Sequence, residues 1–506
     1  MKRTLPRLAL LIALPALAQA AAPPRAYAPV KGFSTTATAL AARPAKAGKA
    51  VIPAYLGVQL AGAAIESIDD DSPAARAGLR AGDVLASADG LRRALAEKKP
   101  GDRLEIRFTR AGKPMKTQAT LAAVSSPLSG EPPMKGFERP RRGGRGGRWT
   151  GAAYRLAVIL VEYPDTRPNQ AITPEAWEDS LFSTGTYTRT SATGQRVFGS
   201  MNDHFREQSY GKLRITGKAF PYVKVSKKRA DYGKAGTSRQ ALLTEALDLA
   251  LARDGKDALK GYDGVFFIYA GGRMQMARGS LYWPHRASVR HAGRSWPYFI
   301  CPEGGARMGD ISVFSHEFGH MLGLPDLYAR PENPGSEGLG VWCLMSNQTP
   351  RGKPQHMSAW CKERLGWINP VVLDPSVPQG LLLAPIVEGP RECYKVLARP
   401  DGSEHFLLEN RTAQGFDASL PAHGLLIWRV SDGRPTLEES HGVAGPRGPL
   451  VHLESVPWPS KAGRAFTPRT TPSSRSEKGG GLPVHLTGMR RLVDGRVAFR
   501  LGWEYE

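Results

Sequence analysis

The segment that most constrains this chain spans residues 311–328, which read ISVFSHEFGHMLGLPDLY. It contains the pattern HExxH, in which His316 and His320 stand four positions apart. On an α-helix, positions i and i+4 lie on the same face, so both imidazoles can reach one metal ion. Glu317 follows the first histidine, where its carboxylate can act as a general base toward a metal-activated water. The pattern therefore predicts a helix that carries one Zn²⁺ ion, because zinc accepts two imidazoles and an oxygen ligand.

The third ligand is predicted from the residues that follow this helix. Gly323 allows a sharp turn, after which the carboxylate of Asp326 can return to the metal. The alternative is that Asp326, which directly follows a proline, is only a turn residue. Glu337, and less favourably Glu332, could supply the oxygen instead while Asp326 orients His320. We predict Asp326 as the third ligand and keep Glu337 as the alternative.

Further segments give this motif a family context. GLGVWCLMS at residues 338–346 resembles the segment that holds the Met-turn of metzincin-type metallopeptidases, where Met345 would form an apolar floor beneath the metal. With SAWCKERLGW at 358–367, the chain resembles the immune inhibitor A family of secreted metallopeptidases. The segments that extend this resemblance over residues 152–505 are AVILVEYPD at 157–165, NDHFREQSYGKL at 202–213, YDGV at 262–265, FLLENR at 406–411 and GLLIW at 424–428.

The resemblance implies a zinc-dependent endopeptidase that acts outside the cell on protein or peptide substrates, with Glu317 as the general base. The alternative is a catalytically inactive peptide-binding protein on a protease-like fold. Inactive relatives of peptidases usually lose the base or a metal ligand, whereas this chain retains Glu317 between both histidines. We therefore favour the enzyme. A structural Ca²⁺ ion is neither predicted nor excluded.

Residues 51–124 carry a second resemblance, to PDZ domains of the bacterial Deg-protease kind. The matching stretches are YLGV at 55–58, SPAARAGLRAGDVL at 72–85 and PGD at 100–102. In such domains, a loop equivalent to Tyr55, Leu56, Gly57 and Val58 offers backbone N–H groups to a peptide's terminal carboxylate, and the peptide adds as a strand to the sheet. The resemblance implies binding of C-terminal peptide tails. The alternative is a small domain that only packs on the rest of the protein.

The N-terminus predicts export. A basic start is followed by an apolar stretch, Leu8–Leu17, and by the small-x-small cleavage site of residues 18–20, as in a secretory signal peptide. The apolar stretch is shorter than the ~20 residues of a membrane span, so we expect no membrane-spanning segment. We expect the protein to be located in the periplasm, on the cell surface or in the medium. In such a compartment an even number of cysteines favours two disulfides. The four cysteines are Cys301, Cys343, Cys361 and Cys393.

The rest of the chain predicts an α+β protein of several units. Its net charge of +23 could attract anionic partners, but no helix-borne basic module is recognisable, so we expect no nucleic acid partner. The expected fold is a zincin- or metzincin-like catalytic domain with a small PDZ-like β-rich domain before it and a β-rich region after it. The predicted boundaries are a signal peptide at 1–20, a flexible lead at 21–50, the PDZ-like domain at 51–124, a basic Gly/Arg linker at 125–150, the catalytic domain at 151–370 and the C-terminal region at 371–506.

Overall fold

The computed structural model describes residues 27–42, 54–68, 72–99, 101–123, 148–234, 237–238, 240–274, 280–328, 339–347, 349, 352–443 and 452–502. Within these residues the chain forms seven α-helices and 20 strands in five sheets. The predicted signal peptide and most of the predicted linker lie outside the described residues. Over the described ranges, no helix combines the length and the apolar character that a membrane crossing requires.

Residues 54–123 form a unit with an apolar core of its own. The strands β2 to β6 make an antiparallel sheet in sequence order, with β2 at one edge, and β1 pairs with β7. A short helix lies within the stretch 72–85: the Ser72 hydroxyl accepts the Ala75 N–H at its start, and Gly78 follows its end with φ +77°. The elements are β1 (Ala54–Tyr55), β2 (Val58–Ala61), β3 (Ala64–Ile68), α1 (Pro73–Arg76), β4 (Val84–Leu85), α2 (Ala88–Glu97), β5 (Arg103–Arg110), β6 (Lys113–Thr120) and β7 (Ala122–Ala123).

The next unit is built on a five-stranded sheet of order β11-β12-β10-β8-β9. Its strands β8, β9, β10 and β12 run parallel, and β11 returns antiparallel at one edge. Helices cover both faces, which explains why the central strands are continuous apolar runs. The strands are β8 (Ala153–Glu162), β9 (Arg214–Lys224), β10 (Gly264–Tyr269), β11 (His285–His291) and β12 (Arg294–Pro302), and the helices are α3 (Pro174–Phe182), α4 (Met201–Gln208), α5 (Gln240–Asp254), α6 (Ile311–Met321) and α7 (Ala359–Arg364).

Alternate side chains of β8 enter two different cores. Leu156, Val158 and Leu160 pack with α3, α4 and α6, whereas Ala157 and Ile159 pack with α5 on the opposite face. This alternation is the period of two that a strand imposes. The sheet therefore presents the helix α6, which contains the HExxH pattern, on one face only.

In the described part of the chain after α7, eight further strands form two mainly antiparallel sheets, of order β13-β15-β16-β17-β18 and β14-β20-β19. The apolar core around α6 continues into them, because it includes Leu407, Leu426 and Trp428 together with Phe318 and Trp342. The region before residue 370 and the region after it thus share one core. The strands are β13 (Val371–Leu373), β14 (Gln379–Leu383), β15 (Tyr394–Leu397), β16 (Glu404–Arg411), β17 (Gly424–Ser431), β18 (Arg434–Leu437), β19 (Leu486–Arg491) and β20 (Val497–Leu501).

The predicted flexible lead is wrong for residues 27–42, which pack against the C-terminal sheets. The Ser34 N–H donates to the Gly380 carbonyl at 2.8 Å, and the Ser34 carbonyl accepts the Leu382 N–H at 2.7 Å. Arg496 Nη2 donates to the Ala28 carbonyl at 2.7 Å. An Ala- and Pro-rich composition suggested a flexible segment, but its backbone pairs with β14, a partner more than 300 residues away that composition cannot reveal.

The prediction of two disulfides is also wrong. All four cysteines lie within described ranges, and all four are free, buried thiols. The Sγ atoms of Cys343 and Cys361 are 3.8 Å apart, well beyond the bond length of about 2.05 Å. Buried free cysteine behaves as a small hydrophobic residue, so the even count reflects core packing here.

The contacts of residues 27–42 lead to a prediction. If a specific protease site is introduced within residues 125–147 and cut, the N-terminal fragment should still co-elute with the remainder in size-exclusion chromatography. Gly380→Ala should release it, because a Cβ there would lie 2.4 Å from the Gly32 carbonyl oxygen. Gly389→Ala is the control, since its Cβ would have room. Separation of the unsubstituted fragments would contradict the prediction.

Candidate functional site

Helix α6 carries the HExxH residues, as predicted. The helix begins after Asp310, whose Oδ1 accepts the Ser312 N–H at 2.8 Å. His316 and His320 lie on one face, with ring centroids 4.9 Å apart. Gly319 lies between them, and a Cβ there would be 2.3 Å from the sulfur of Met345. A glycine is therefore required where this methionine packs against the helix.

Both histidines are oriented by backbone carbonyl groups. The Nδ1 atom of His316 lies 2.8 Å from the Leu344 carbonyl oxygen, and that of His320 lies 2.8 Å from the Leu324 carbonyl oxygen. A carbonyl oxygen only accepts, so each Nδ1 must carry the proton. Each neutral ring then keeps its lone pair on Nε2, the nitrogen that a metal would bind.

Asp326 completes the cluster. Gly323 turns the chain after α6 with φ +95°, and the Asp326 Oδ1 lies 3.2 Å from Nε2 of His316 and 3.1 Å from Nε2 of His320. Two imidazole nitrogens and one carboxylate oxygen, all within 4.8 Å of one another, are a donor set that fits Zn²⁺. The alternative ligands, Glu332 and Glu337, lie outside the described residues.

Glu317 is a second acidic group beside this cluster. Its side chain is buried, and its Oε2 has no hydrogen-bond partner among the described residues. Burial raises its pKa to about 7, although the nearby His316 works in the opposite direction. Buried carboxylate oxygens are normally hydrogen-bonded, so an unpartnered one beside a metal-type donor set is expected to have a chemical task.

Met345 and Tyr328 lie close to this cluster. Met345 is fully buried, and its carbonyl oxygen accepts the Leu327 N–H at 2.7 Å. The Tyr328 ring lies nearly parallel to that of His316, with centroids 6.1 Å apart.

In the N-terminal unit, the segment predicted to bind a carboxylate leads into the edge strand β2. Gly57 has φ +83°, a conformation that favours glycine. The Leu56 carbonyl accepts the Ala74 N–H at 2.9 Å, so it ties this segment to α1. Val58 is the first residue of β2, and Tyr55 ends β1.

Sequence reasoning missed a buried polar network that contacts the backbone just before Met345. It joins α4, the segment before α7, α7 itself, strand β16 and the loop that follows β16. A usable signal was present in FLLENR, where three polar residues follow three apolar ones within a strand that is buried almost throughout. The members are His204, Glu207, Gln355, His356, Lys362, Glu409, Arg411 and Asp417.

Comparison with known proteins places this geometry in a family context. Residues 154–266 and 267–368 match the family described as immune inhibitor A peptidase M6, catalytic domain. Pre-pro-metalloprotease PrtV of Vibrio cholerae is 28% identical over 287 residues, which cover 42% of this chain and 30% of that protein. Immune inhibitor A of Bacillus thuringiensis subsp. alesti is 25% identical over 306 residues, which cover 46% of this chain and 43% of that protein. The chain thus spans less than half the length of either relative, and the match to the peptidase M6 model is confined to residues 154–368, less than half of this chain.

Solved structures are matched over a much smaller part of the chain. A serine endoprotease from Yersinia pestis is 26% identical, covers 15% of this chain and 30% of its own, and has a TM-score of 0.14. The HtrA-type protease AlgW with a tripeptide is 28% identical, covers 16% of this chain and 35% of its own, and also has a TM-score of 0.14.

The geometry predicts the effect of removing the candidate carboxylate ligand. Asp326→Ala should lose most of the bound zinc after dialysis, because two imidazoles would remain without their oxygen partner. Glu337→Ala is the control and should keep one zinc per chain, as measured by atomic emission on the purified proteins. The reverse pattern, with zinc kept in Asp326→Ala and lost in Glu337→Ala, would assign the third ligand to the glutamate.

Proposed function

We propose that this chain is a secreted zinc-dependent metalloendopeptidase with a zincin- or metzincin-like catalytic domain. The observation that carries the proposal is the convergence of two Nε2 atoms and one Asp326 oxygen beside the buried, unpartnered carboxylate of Glu317. The peptidase M6 match over residues 154–368 supports peptide bonds as the substrate bonds. Export rests on the predicted signal peptide.

The residues of the site divide the chemistry between them. When bound, zinc supplies a Lewis acid for the scissile carbonyl and the attacking water. His316, His320 and Asp326 would hold that ion. Glu317 takes a proton from the water as it attacks and delivers it to the leaving amine. Oε2 of Glu317 can accept that proton because no described residue occupies it.

This mechanism predicts the behaviour of variants at Glu317. Glu317→Gln should lower kcat for a fluorogenic peptide by about 10²- to 10⁴-fold, the usual contribution of general base catalysis. Zinc content should stay at one per chain, because the carboxylate is not a ligand. Asp310→Asn is the control: it removes a carboxylate at the start of the same helix, yet asparagine still caps a helix N-terminus. Near-normal turnover in Glu317→Gln would favour the inactive peptide-binding alternative.

We further propose that residues 55–58 of the PDZ-like unit bind the C-terminal carboxylate of peptide tails. Gly57 has a positive φ, and the adjoining β2 lies at the edge of its sheet, where a peptide strand could add.

A peptide pair tests this second proposal. Fluorescence anisotropy on the full-length Glu317→Gln protein should show binding of an apolar-ended peptide with a free C-terminus. Amidation of the same peptide should weaken binding by about tenfold or more, because charge-assisted hydrogen bonds to the carboxylate are lost. Equal binding of both peptides would refute recognition of the carboxylate, and binding of neither would leave the unit with a packing role only.

A further inference from the structure

We propose that Arg411 and Asp417 are positioning residues for the metal ligands, although they lie in the C-terminal region and outside the matched residues 154–368. The inference rests on the proposed function, since it concerns the same candidate metal site. It gives a role to FLLENR, the segment of the sequence that ends at Arg411 and that the catalytic chemistry leaves unexplained.

The backbone of Leu344 and Met345 holds the two elements that carry the candidate ligands. The Leu344 carbonyl oxygen accepts from Nδ1 of His316 at 2.8 Å. The Met345 carbonyl oxygen accepts the N–H of Leu327, the residue after Asp326, at 2.7 Å. Two successive carbonyl groups thus orient one candidate ligand directly and anchor the chain beside another.

Arg411 in turn holds the backbone around Leu344 and Met345. The Leu344 N–H donates to the His356 carbonyl oxygen at 3.2 Å. Arg411 Nη2 donates to the same His356 oxygen at 3.4 Å, and its Nη1 donates to the Trp342 carbonyl oxygen at 3.2 Å. One guanidinium group therefore bridges the two chain segments that lie on either side of Leu344.

Asp417 fixes the orientation of the Arg411 guanidinium group. Its two carboxylate oxygens accept from Nε and Nη2 of Arg411 at 2.6 Å and 2.5 Å, and Oδ1 also accepts the His356 N–H at 2.9 Å. Both side chains are buried. Burial disfavours both charges, yet the mutual attraction outweighs it, so the pKa of Asp417 is lowered and that of Arg411 is raised.

A buried ion pair is a weak source of stability, because desolvation offsets much of its attraction. Its bidentate geometry, however, holds a fixed direction. Here it holds the carbonyl groups of Trp342 and His356, and the His356 carbonyl in turn accepts the N–H of Leu344, the residue whose own carbonyl orients His316. Groups that orient metal-bound histidines in this way typically change metal affinity by about 10- to 100-fold when they are removed.

Arg411→Lys tests the inference, because lysine retains the charge for Asp417 but cannot bridge both carbonyl groups in a planar fork. Zinc affinity is measured by competition with a chromogenic chelator, alongside the melting temperature and the separate kcat and KM for a peptide. We expect zinc affinity to fall about tenfold or more and kcat to fall with little change in KM.

Arg429→Lys is the matched control. Arg429 is also buried, lies on the neighbouring strand β17 and is paired with Glu404 at 2.6 Å. None of its hydrogen bonds among the described residues reaches residues 342–356. We expect Arg429→Lys to lose melting temperature like Arg411→Lys but to keep the zinc affinity of the unsubstituted protein.

Equal zinc affinities in Arg411→Lys and Arg429→Lys would overturn the inference. If Arg411→Lys does not fold, Asp417→Asn is measured against the same control with the same two outcomes. The proposed function fails separately, if the unsubstituted protein binds no zinc. A protein that binds zinc and hydrolyses peptides, but whose Arg411→Lys variant matches the control, would refute the positioning role alone.

Discussion

Two hydrogen bonds from imidazole Nδ1 atoms to backbone carbonyl oxygens are the constraint on which the candidate site depends. They fix the tautomer of His316 and His320, so both Nε2 lone pairs are available to one ion. One carbonyl belongs to Leu324, just after the end of α6, and its position requires the positive φ of Gly323. The other belongs to Leu344, which reaches the helix from a distant part of the chain. The site therefore needs both a local turn and a long-range contact.

The long-range contact explains why the catalytic region and the C-terminal sheets share a core. The chain around Leu344 is held by polar groups of β16 and of the loop that follows it, while Leu407 and Trp428 pack into the apolar core around α6. Close packing of this kind transmits small displacements rather than absorbing them. The C-terminal region, although it lies apart along the sequence, thus forms part of the structure that supports the candidate site.

The parts of the site that sequence reasoning predicted all depend on short-range rules. Helical periodicity placed His316 and His320 on one face, and the turn at Gly323 allowed Asp326 to return. The errors concern partners that are distant along the chain: residues 27–42 pair with β14, and the cysteines fill core positions rather than forming bridges. Arg411 was overlooked for the same reason. Its partners become evident only when the sheet brings them together, although three consecutive polar residues in a buried strand were a readable signal.

The central claim is that His316, His320 and Asp326 bind one zinc ion. The most direct measurement is anomalous diffraction at the zinc absorption edge from crystals of the full-length Glu317→Gln protein. The account predicts a single strong site, with Nε2 of both histidines at about 2.0–2.1 Å and an Asp326 oxygen at about 2.0–2.2 Å. Zinc at another location, or zinc held by the two histidines with Asp326 turned away, would contradict it.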